Sequence, residues 1–157
     1  MNITIRKAEK GDLEQVNTLR FQVNTIHVEG RPDIFRAGFC DEMRDRLFEV
    51  FSSPDYDVFV AEYEGKIAGF ATVEYATKPL SPYNKERRYY KIEEFGVDEG
   101  CHRQGVGSAL MTYLKNDAKE KGYEKLELDV WEFNTSAVNF YEARGFSCYR
   151  RFLEVDL

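Results

Sequence analysis

Between Tyr89 and Trp131 the sequence reads strand, glycine turn, helix and strand again, and that order constrains the fold more than any other feature of the chain. Tyr90 to Val97 reads as extended, Gly105 to Lys121 carries apolar residues at helical spacing, and Glu124 to Trp131 reads as a strand again. Two strands joined through a helix form a parallel pair with a right-handed crossover. The segments Asp57–Tyr63 and Ile67–Tyr75 instead flank a short turn, Glu64-Gly65-Lys66, and read as an antiparallel hairpin. A chain that needs both kinds of pairing forms a mixed sheet with helices on both faces.

The remaining elements fit around that core. Ile3 to Ala8 reads as a first strand, and Asp12 as the cap of a helix bearing Leu13, Val16, Leu19 and Val23. A second helix runs from Asp41 to about Phe51 with Met43, Leu47 and Val50 on one side. A polar loop, Lys78 to Arg88, precedes the Tyr89–Val97 strand. After the crossover come a helix, Thr135 to Arg144, and a last strand, Phe146 to Val155. The predicted order is therefore β-α-α-β-β-β-α-β-α-β. With 157 residues and no repeat, low-complexity tract or linker, residues 1–157 read as a single domain.

Composition removes several classes of function. Cys40, Cys101 and Cys148 are odd in number and form no C-x-x-C pair, so neither a disulfide framework nor a zinc site is expected. Cys101 and Cys148 read as structural, the latter because it falls in the final strand. With only His27 and His102 as histidines, no metal is expected. The polar start of the chain and the absence of a long apolar run point to a cytoplasmic protein with no membrane partner. A net charge of −6 suits a cationic substrate better than nucleic acid.

The junction Cys101-His102-Arg103-Gln104-Gly105-Val106-Gly107-Ser108 carries chemistry. Two glycines where a helix begins leave backbone N–H groups uncovered at the positive end of the helix dipole, a cradle for phosphate. It is no P-loop, because Gly107 is followed by Ser108-Ala109 and not by a lysine. A dinucleotide fingerprint wants a third small residue, and Leu110 stands there, although Glu127 or Asp129 has the spacing of the expected acid. The plainer alternative is an ordinary helix start.

A second string, Asn134 to Phe146, places Ala137 and Tyr141 on one face of a helix capped by Asn134 and ended by Gly145. Read alone, Phe140 and Tyr141 are core aromatics. Read together, the two strings resemble the GNAT superfamily of acetyl-CoA-dependent N-acetyltransferases, over essentially the whole chain. The family's [Gln/Arg]-x-x-Gly-x-[Gly/Ala] loop is matched at Gly105 and Gly107 but begins with His102. Its Asn-x-x-Ala-x-x-Phe-Tyr-x-x-x-Gly-Phe pattern is matched at Asn134, Ala137, Phe140, Tyr141, Gly145 and Phe146.

The resemblance implies an α/β (α+β) GNAT-type sheet, mixed and mostly antiparallel, with splayed central strands and helices on both faces. It implies that acetyl-CoA is the cosubstrate. Its pyrophosphate would lie on Arg103, Gln104, Gly105, Val106, Gly107 and Ser108, and its pantetheine on the backbone of Phe95, Gly96 and Val97. Asn134, Ala137 and Tyr141 would complete the coenzyme site. The strand Ile92–Val97 looks like that of polyamine acetyltransferases, whose acidic base twelve positions before the first loop glycine corresponds to Glu93. Tyr141 would protonate the departing thiolate. Homodimers are common among similar proteins.

The chemistry fits these residue types. An alkyl ammonium is free amine only about four times in ten thousand at neutral pH, so a carboxylate must take its proton, directly or through water. On an ideal strand Glu93 and Glu94 point to opposite faces, so one of them at most meets the amine. The N–H near Val97 is the candidate oxyanion donor. The acceptor pocket, for a small-molecule or peptide amine, is expected from His27–Phe35 and the Lys78–Arg88 loop. Two other readings remain: an acetyl-CoA-binding sensor or scaffold without turnover, and a dinucleotide-binding oxidoreductase.

Overall fold

The computed structural model describes residues 2–157. Five strands form one sheet in sequence order: β1 Ile3–Lys7, β2 Tyr56–Tyr63, β3 Lys66–Lys78, β4 Arg87–Val97 and β5 Leu126–Leu128. The first three pairings are antiparallel, whereas β4 and β5 run parallel across α3, Val106–Glu120. The mixed sheet follows from the hairpin and crossover signals.

Alternation along the strands builds one core on each face. Val58 and Val60 of β2 join Leu13, Val16 and Leu19 of α1 (Leu13–Gly30) and Leu47 and Val50 of α2 (Asp41–Ser52). Phe59 points the other way, with Ala71, Val73, Tyr90 and Ile92, onto Leu110, Met111, Leu114 and Ala118 of α3. The helix α4, Thr135–Ala143, adds Phe140 and Tyr141 to this second core.

Three sequence expectations are corrected. The Asp12 side chain does not cap α1: its carboxylate accepts the Glu9 N–H at 2.7 Å and both Arg6 terminal nitrogens at 2.7 and 3.1 Å, closing a 3-10 turn over Lys10–Asp12. The strand expected over Glu124–Trp131 is only three residues long, because the chain leaves β4 after Leu128. The last strand, Phe146–Val155, does not form, and Cys148 is exposed instead of structural. Alternating side chains alone hold no strand in a sheet without a backbone partner.

Candidate active site

The site begins with a register slip. β3 pairs Thr72 with Glu94 and Val73 with Ile92, leaving Glu93 as the extra residue of a β-bulge. β4 and β5 pair over Tyr90–Ile92 and Leu126–Leu128 and then part. From Glu93 to Val97 the edge of β4 that faces away from β3 has no strand beside it among the described residues, so the outward backbone groups of Phe95 and the Val97 N–H are free to bond a ligand. Gly96 instead stands in the ladder opposite Phe70, and the Val97 carbonyl is taken up by His102. The splay expected from the family resemblance is present, and the bulge marks its start. Opposite it, the Thr72 hydroxyl is buried and has no hydrogen-bond partner among the described residues.

The bulge also changes which way the acids face. Ile92 lies in the α3 core and Phe95 packs on Phe140 and Tyr141, while a Cβ on Gly96 would strike Val23 of α1. Glu94, two residues before Gly96, therefore faces α1, where Arg20 Nε donates to both its oxygens at 3.1 and 2.9 Å. Glu93 approaches Lys91 Nζ at 3.5 Å, and Lys91 stands opposite Glu74 on that same face. The expectation that the two glutamates face opposite sides is thus overturned, because the extra residue breaks the two-residue period. Glu93 shares a hydrogen bond with Glu74, which raises the Glu74 carboxyl above its ordinary range, with burial adding to the effect.

Arg20 was not visible as a site residue, although a signal existed. Asn17 and Arg20 fall on the buried stripe of α1, and a guanidinium only 8% exposed requires partners. It finds them in Glu94, in Asn17 Oδ1 at 2.9 Å and in the Met43 carbonyl. Glu94 is therefore bound to a fixed cation, and Glu93 is the more exposed of the two.

Past Val97 the chain turns into α3. Asp98 clamps the turn: its oxygens accept from Gln22 at 3.1 Å, Lys66 at 3.1 Å and the Gly100 N–H at 3.3 Å. His102, which stands where the family has Gln or Arg, places Nε2 3.1 Å from the Val97 carbonyl and so ties the loop back to β4. Arg103 and Gly105 have φ of +65° and +85°, left-handed values that turn successive N–H groups toward one concavity. Arg103, Gln104 and Gly105 are exposed, so the concavity is open. Gly107 has a different task. A Cβ there would sit 3.2 Å from the Phe140 ring, so its absence lets α4 lie against the start of α3. Arg144 reinforces that junction, donating to Ser108 Oγ and stacking 3.6 Å over Phe140.

On α4, Asn134 Oδ1 accepts the Ala137 N–H at 3.2 Å and caps the helix. Tyr141 packs among Phe95, Phe140 and Phe146 at ring separations of 6.1, 5.4 and 5.7 Å. Its phenol is pushed up to about 12 by burial. Tyr75 and Tyr90 donate to Asp57 and Asp117, whereas no hydrogen bond ties up the Tyr141 hydroxyl among the described residues.

The acceptor side is aromatic as well as acidic. His27, in the last turn of α1, stacks on Phe35 at 5.1 Å and meets Phe133 edge-on at 6.3 Å, and Trp131 closes against Phe35 at 5.0 Å. Gly30 lets Phe133 lie on the α1 backbone, since a Cβ there would overlap the ring at 2.1 Å. Burial pulls His27 below its ordinary range, with the Glu94 charge opposing. The expected segment His27–Phe35 is thus beside the carboxylates. The Lys78–Arg88 loop is not, for it lies at the other end of β3 and β4, about six residues or ~20 Å along the strand from Glu93. Phe133 and Trp131 were absent from the sequence expectation for this pocket.

The chain matches the Acetyltransferase (GNAT) family over residues 24–146. It belongs to that family. It is 30% identical to human N-acetyltransferase 8 over 107 residues, 68% of this chain and 45% of the human protein. It is 26% identical over 121 residues to the Escherichia coli K12 [ribosomal protein bS18]-alanine N-acetyltransferase, 77% of this chain and 71% of that one. The match to another E. coli K12 protein, the uncharacterized N-acetyltransferase YjgM, spans 60% of its length, so the chain corresponds to about half of several of these relatives. Among solved structures, the F44R mutant of BH1408 from Bacillus halodurans aligns with a TM-score of 0.93 at 30% identity, covering 98% of this chain and 99% of that one. The AAC(6')-Iy structure, bound to a bisubstrate analog of coenzyme A and acetylneamine, shares the fold with a TM-score of 0.77 at 20% identity, covering 100% of this chain and 99% of that one. No helix among the described residues is long and apolar enough to cross a membrane.

Proposed function

We propose that residues 1–157 form one catalytic domain that transfers the acetyl group of acetyl-CoA to an amine by direct attack in a ternary complex. The observation that carries this reading is the unpaired edge of β4 over Glu93–Val97, running straight into the left-handed Arg103–Gly105 concavity. The edge fits the amides of a pantetheine arm, and the concavity with the N-terminus of α3 fits its pyrophosphate. A phosphate-binding loop by itself would serve a sensor module equally well. The free Tyr141 hydroxyl and the exposed Glu93 favour an enzyme.

The acceptor enters between β4, α1 and the Trp131–Phe133 segment. Glu93, its charge shared with Glu74 and balanced by Lys91, takes the ammonium proton. The amine attacks the thioester carbonyl, and the Val97 N–H stabilises the oxyanion. Tyr141, kept protonated by burial at any physiological pH, donates its hydroxyl hydrogen to the departing sulfur, and the second proton that the attacking nitrogen gives up as the amide forms restores the phenol. Arg20 engages both oxygens of Glu94, which leaves Glu93 as the acid of the two that can meet the acceptor. The relatives named for ribosomal-protein alanine and for aminoglycoside acetylation support an amine acceptor, either a small molecule or a peptide. Coenzyme A release measured across polyamines, amino acids, aminoglycosides and N-terminal peptides tests the proposal. Turnover with one class is expected. Saturable acetyl-CoA binding without turnover on any of them would return the chain to the sensor reading.

A further inference from the structure

The acceptor side of the site joins an aromatic surface to a small amount of free charge. His27, Phe35, Trp131 and Phe133 pack ring against ring, the Trp131–Phe133 contact at 6.1 Å closing the set. The surface is open to water: Trp131 is 37% exposed, and its neighbours Val130 and Ile34 are 39% and 48% exposed. Burial keeps His27 below its ordinary range, so the imidazole is neutral at neutral pH. Of the side chains His27, Ile34, Phe35, Val130, Trp131 and Phe133, only the imidazole and the indole carry a hydrogen-bonding atom. The rings also stand close to the reacting edge. Val23 of α1 faces Gly96, and His27 follows one helical turn later, ~6 Å along the axis.

Most of the charge here is already balanced. Arg20 holds Glu94, and at the rim Arg31 holds Asp33 and Glu154. Glu29 lies with Phe21 and Thr25 on the outer side of α1. Lys91 is left among three acids: Glu93 at 3.5 Å, Glu74 opposite it on β3, and Asp129, whose charge also acts on it. One lysine against three acids leaves an excess of two negative charges at most, and the hydrogen bond between Glu74 and Glu93 favours a proton on that pair. Such a site suits one ammonium carried on an apolar body. A polyamine brings several ammonium groups with too few acids to meet them. An aminosugar brings hydroxyls that the rings leave unpaired.

Resting on the acetyl transfer proposed above, we infer that the acceptor is an arylalkyl monoamine, its ammonium at Glu93 and its ring on the Phe35–Trp131–Phe133 surface. The ring adds edge-to-face contacts to those the cluster already makes and covers apolar surface that otherwise meets water. A short alkyl chain spans the turn of α1 between Gly96 and the rings.

Trp131 is the chain's one tryptophan, so its emission reports occupancy of this surface without turnover. Titration of the coenzyme A-saturated protein with phenethylamine should change that emission saturably. Butylamine, which lacks the ring, and phenethyl alcohol, which lacks the charge, should each bind about tenfold more weakly, and spermidine no more tightly than butylamine. Phe35→Leu keeps the fluorophore and should weaken phenethylamine by about 3- to 10-fold and butylamine by less than about twofold. Circular dichroism checks the fold, and Trp131→Leu read by calorimetry repeats the comparison. No saturable response to phenethylamine, equal affinity for butylamine, or tighter binding of spermidine or kanamycin would overturn the inference. So would an equal loss for both amines in Phe35→Leu. Acetylated product, read by mass spectrometry with acetyl-CoA present, separates the two claims. Tight phenethylamine binding without product would remove the proposed reaction and leave this ligand class standing, whereas acetylation of spermidine in preference to phenethylamine would do the reverse.

Discussion

Glu94→Gln is expected to destabilise this protein without acting on the proton transfer. Arg20 is 8% exposed and its Nε donates to both Glu94 oxygens, at 3.1 and 2.9 Å, while Nη1 is already engaged by Asn17 and the Met43 carbonyl. Replacing the carboxylate leaves a buried guanidinium with neutral acceptors alone. Breaking a fully buried pair costs about 3–5 kcal/mol. The Glu94 side chain is 31% exposed, however, so water takes over part of the role, and the range for bonds to a charged group, ~1.5–3 kcal/mol, applies. At about 2 kcal/mol, and roughly 2–4 °C per kcal/mol for a domain of this size, the Tm should fall by about 4–8 °C. Calorimetry at neutral pH without ligand measures it, beside Glu93→Gln, whose more exposed pairing with Lys91 is worth at most ~1 kcal/mol. Combining Glu94→Gln with Arg20→Met should restore part of the loss, because the unpaired cation goes with its partner. A Tm change under about 1 °C for Glu94→Gln, or strict additivity in the double variant, would refute this reasoning.

Three further outcomes follow from the site. Tyr141→Phe should lower kcat by ~10²- to 10⁴-fold with little change in the KM for acetyl-CoA, because the hydroxyl acts only once the sulfur departs; steady-state kinetics with chemistry limiting would expose a wild-type kcat. Glu93→Gln should depress kcat most near neutral pH and recover partly as pH rises and the amine deprotonates unaided; pH–rate curves parallel to wild type would exclude Glu93 as the base. Burial lowers the His27 pKa, so below about pH 6.5 the unfolded chain binds more protons than the folded one, and stability is lost as pH falls through the folded value. His27→Gln should therefore flatten the acid-side decline of Tm between about pH 8 and 5, and an unchanged slope would count against a buried neutral imidazole.

Periodicity carried the fold a long way. The two-residue alternation of β2 and β3 and the helical spacing in α1, α2 and α3 are local, and the tertiary structure keeps them. The loop at Gly105 and the helix start at Asn134 were legible because backbone geometry there demands particular residues. What escaped depends on register and partners. Nothing in Ile92-Glu93-Glu94-Phe95 marks Glu93 as the extra residue, since the slip is set by which β3 residues it must face, and with it went the facing of both acids. Arg20 and Glu94 lie 74 positions apart, and only the crossing of α1 over β4 brings them together. Gly107 was read as clearance for a phosphate, whereas its missing side chain also makes room for Phe140. The terminal strand failed for a related reason: its alternation is real, but no strand pairs with it among the described residues.

Acetyl-CoA is expected to lie along the β4 edge with its pyrophosphate in the Arg103–Gly105 concavity, and calorimetric titration of wild type and Gly105→Ala measures that binding. Gly105 has φ +85°, where an added Cβ costs about 1–2 kcal/mol in backbone conformation, yet the nearest atom to such a Cβ is Ile3 Cδ1 at 3.9 Å. The substituted chain therefore keeps its fold while its loop is drawn away from the left-handed turn. Wild type should bind one acetyl-CoA per chain saturably, and Gly105→Ala should bind it about 5- to 30-fold more weakly, as expected for a strain of that size. Equal affinity in the two proteins, or no binding by wild type, would rule out this loop as the pyrophosphate site.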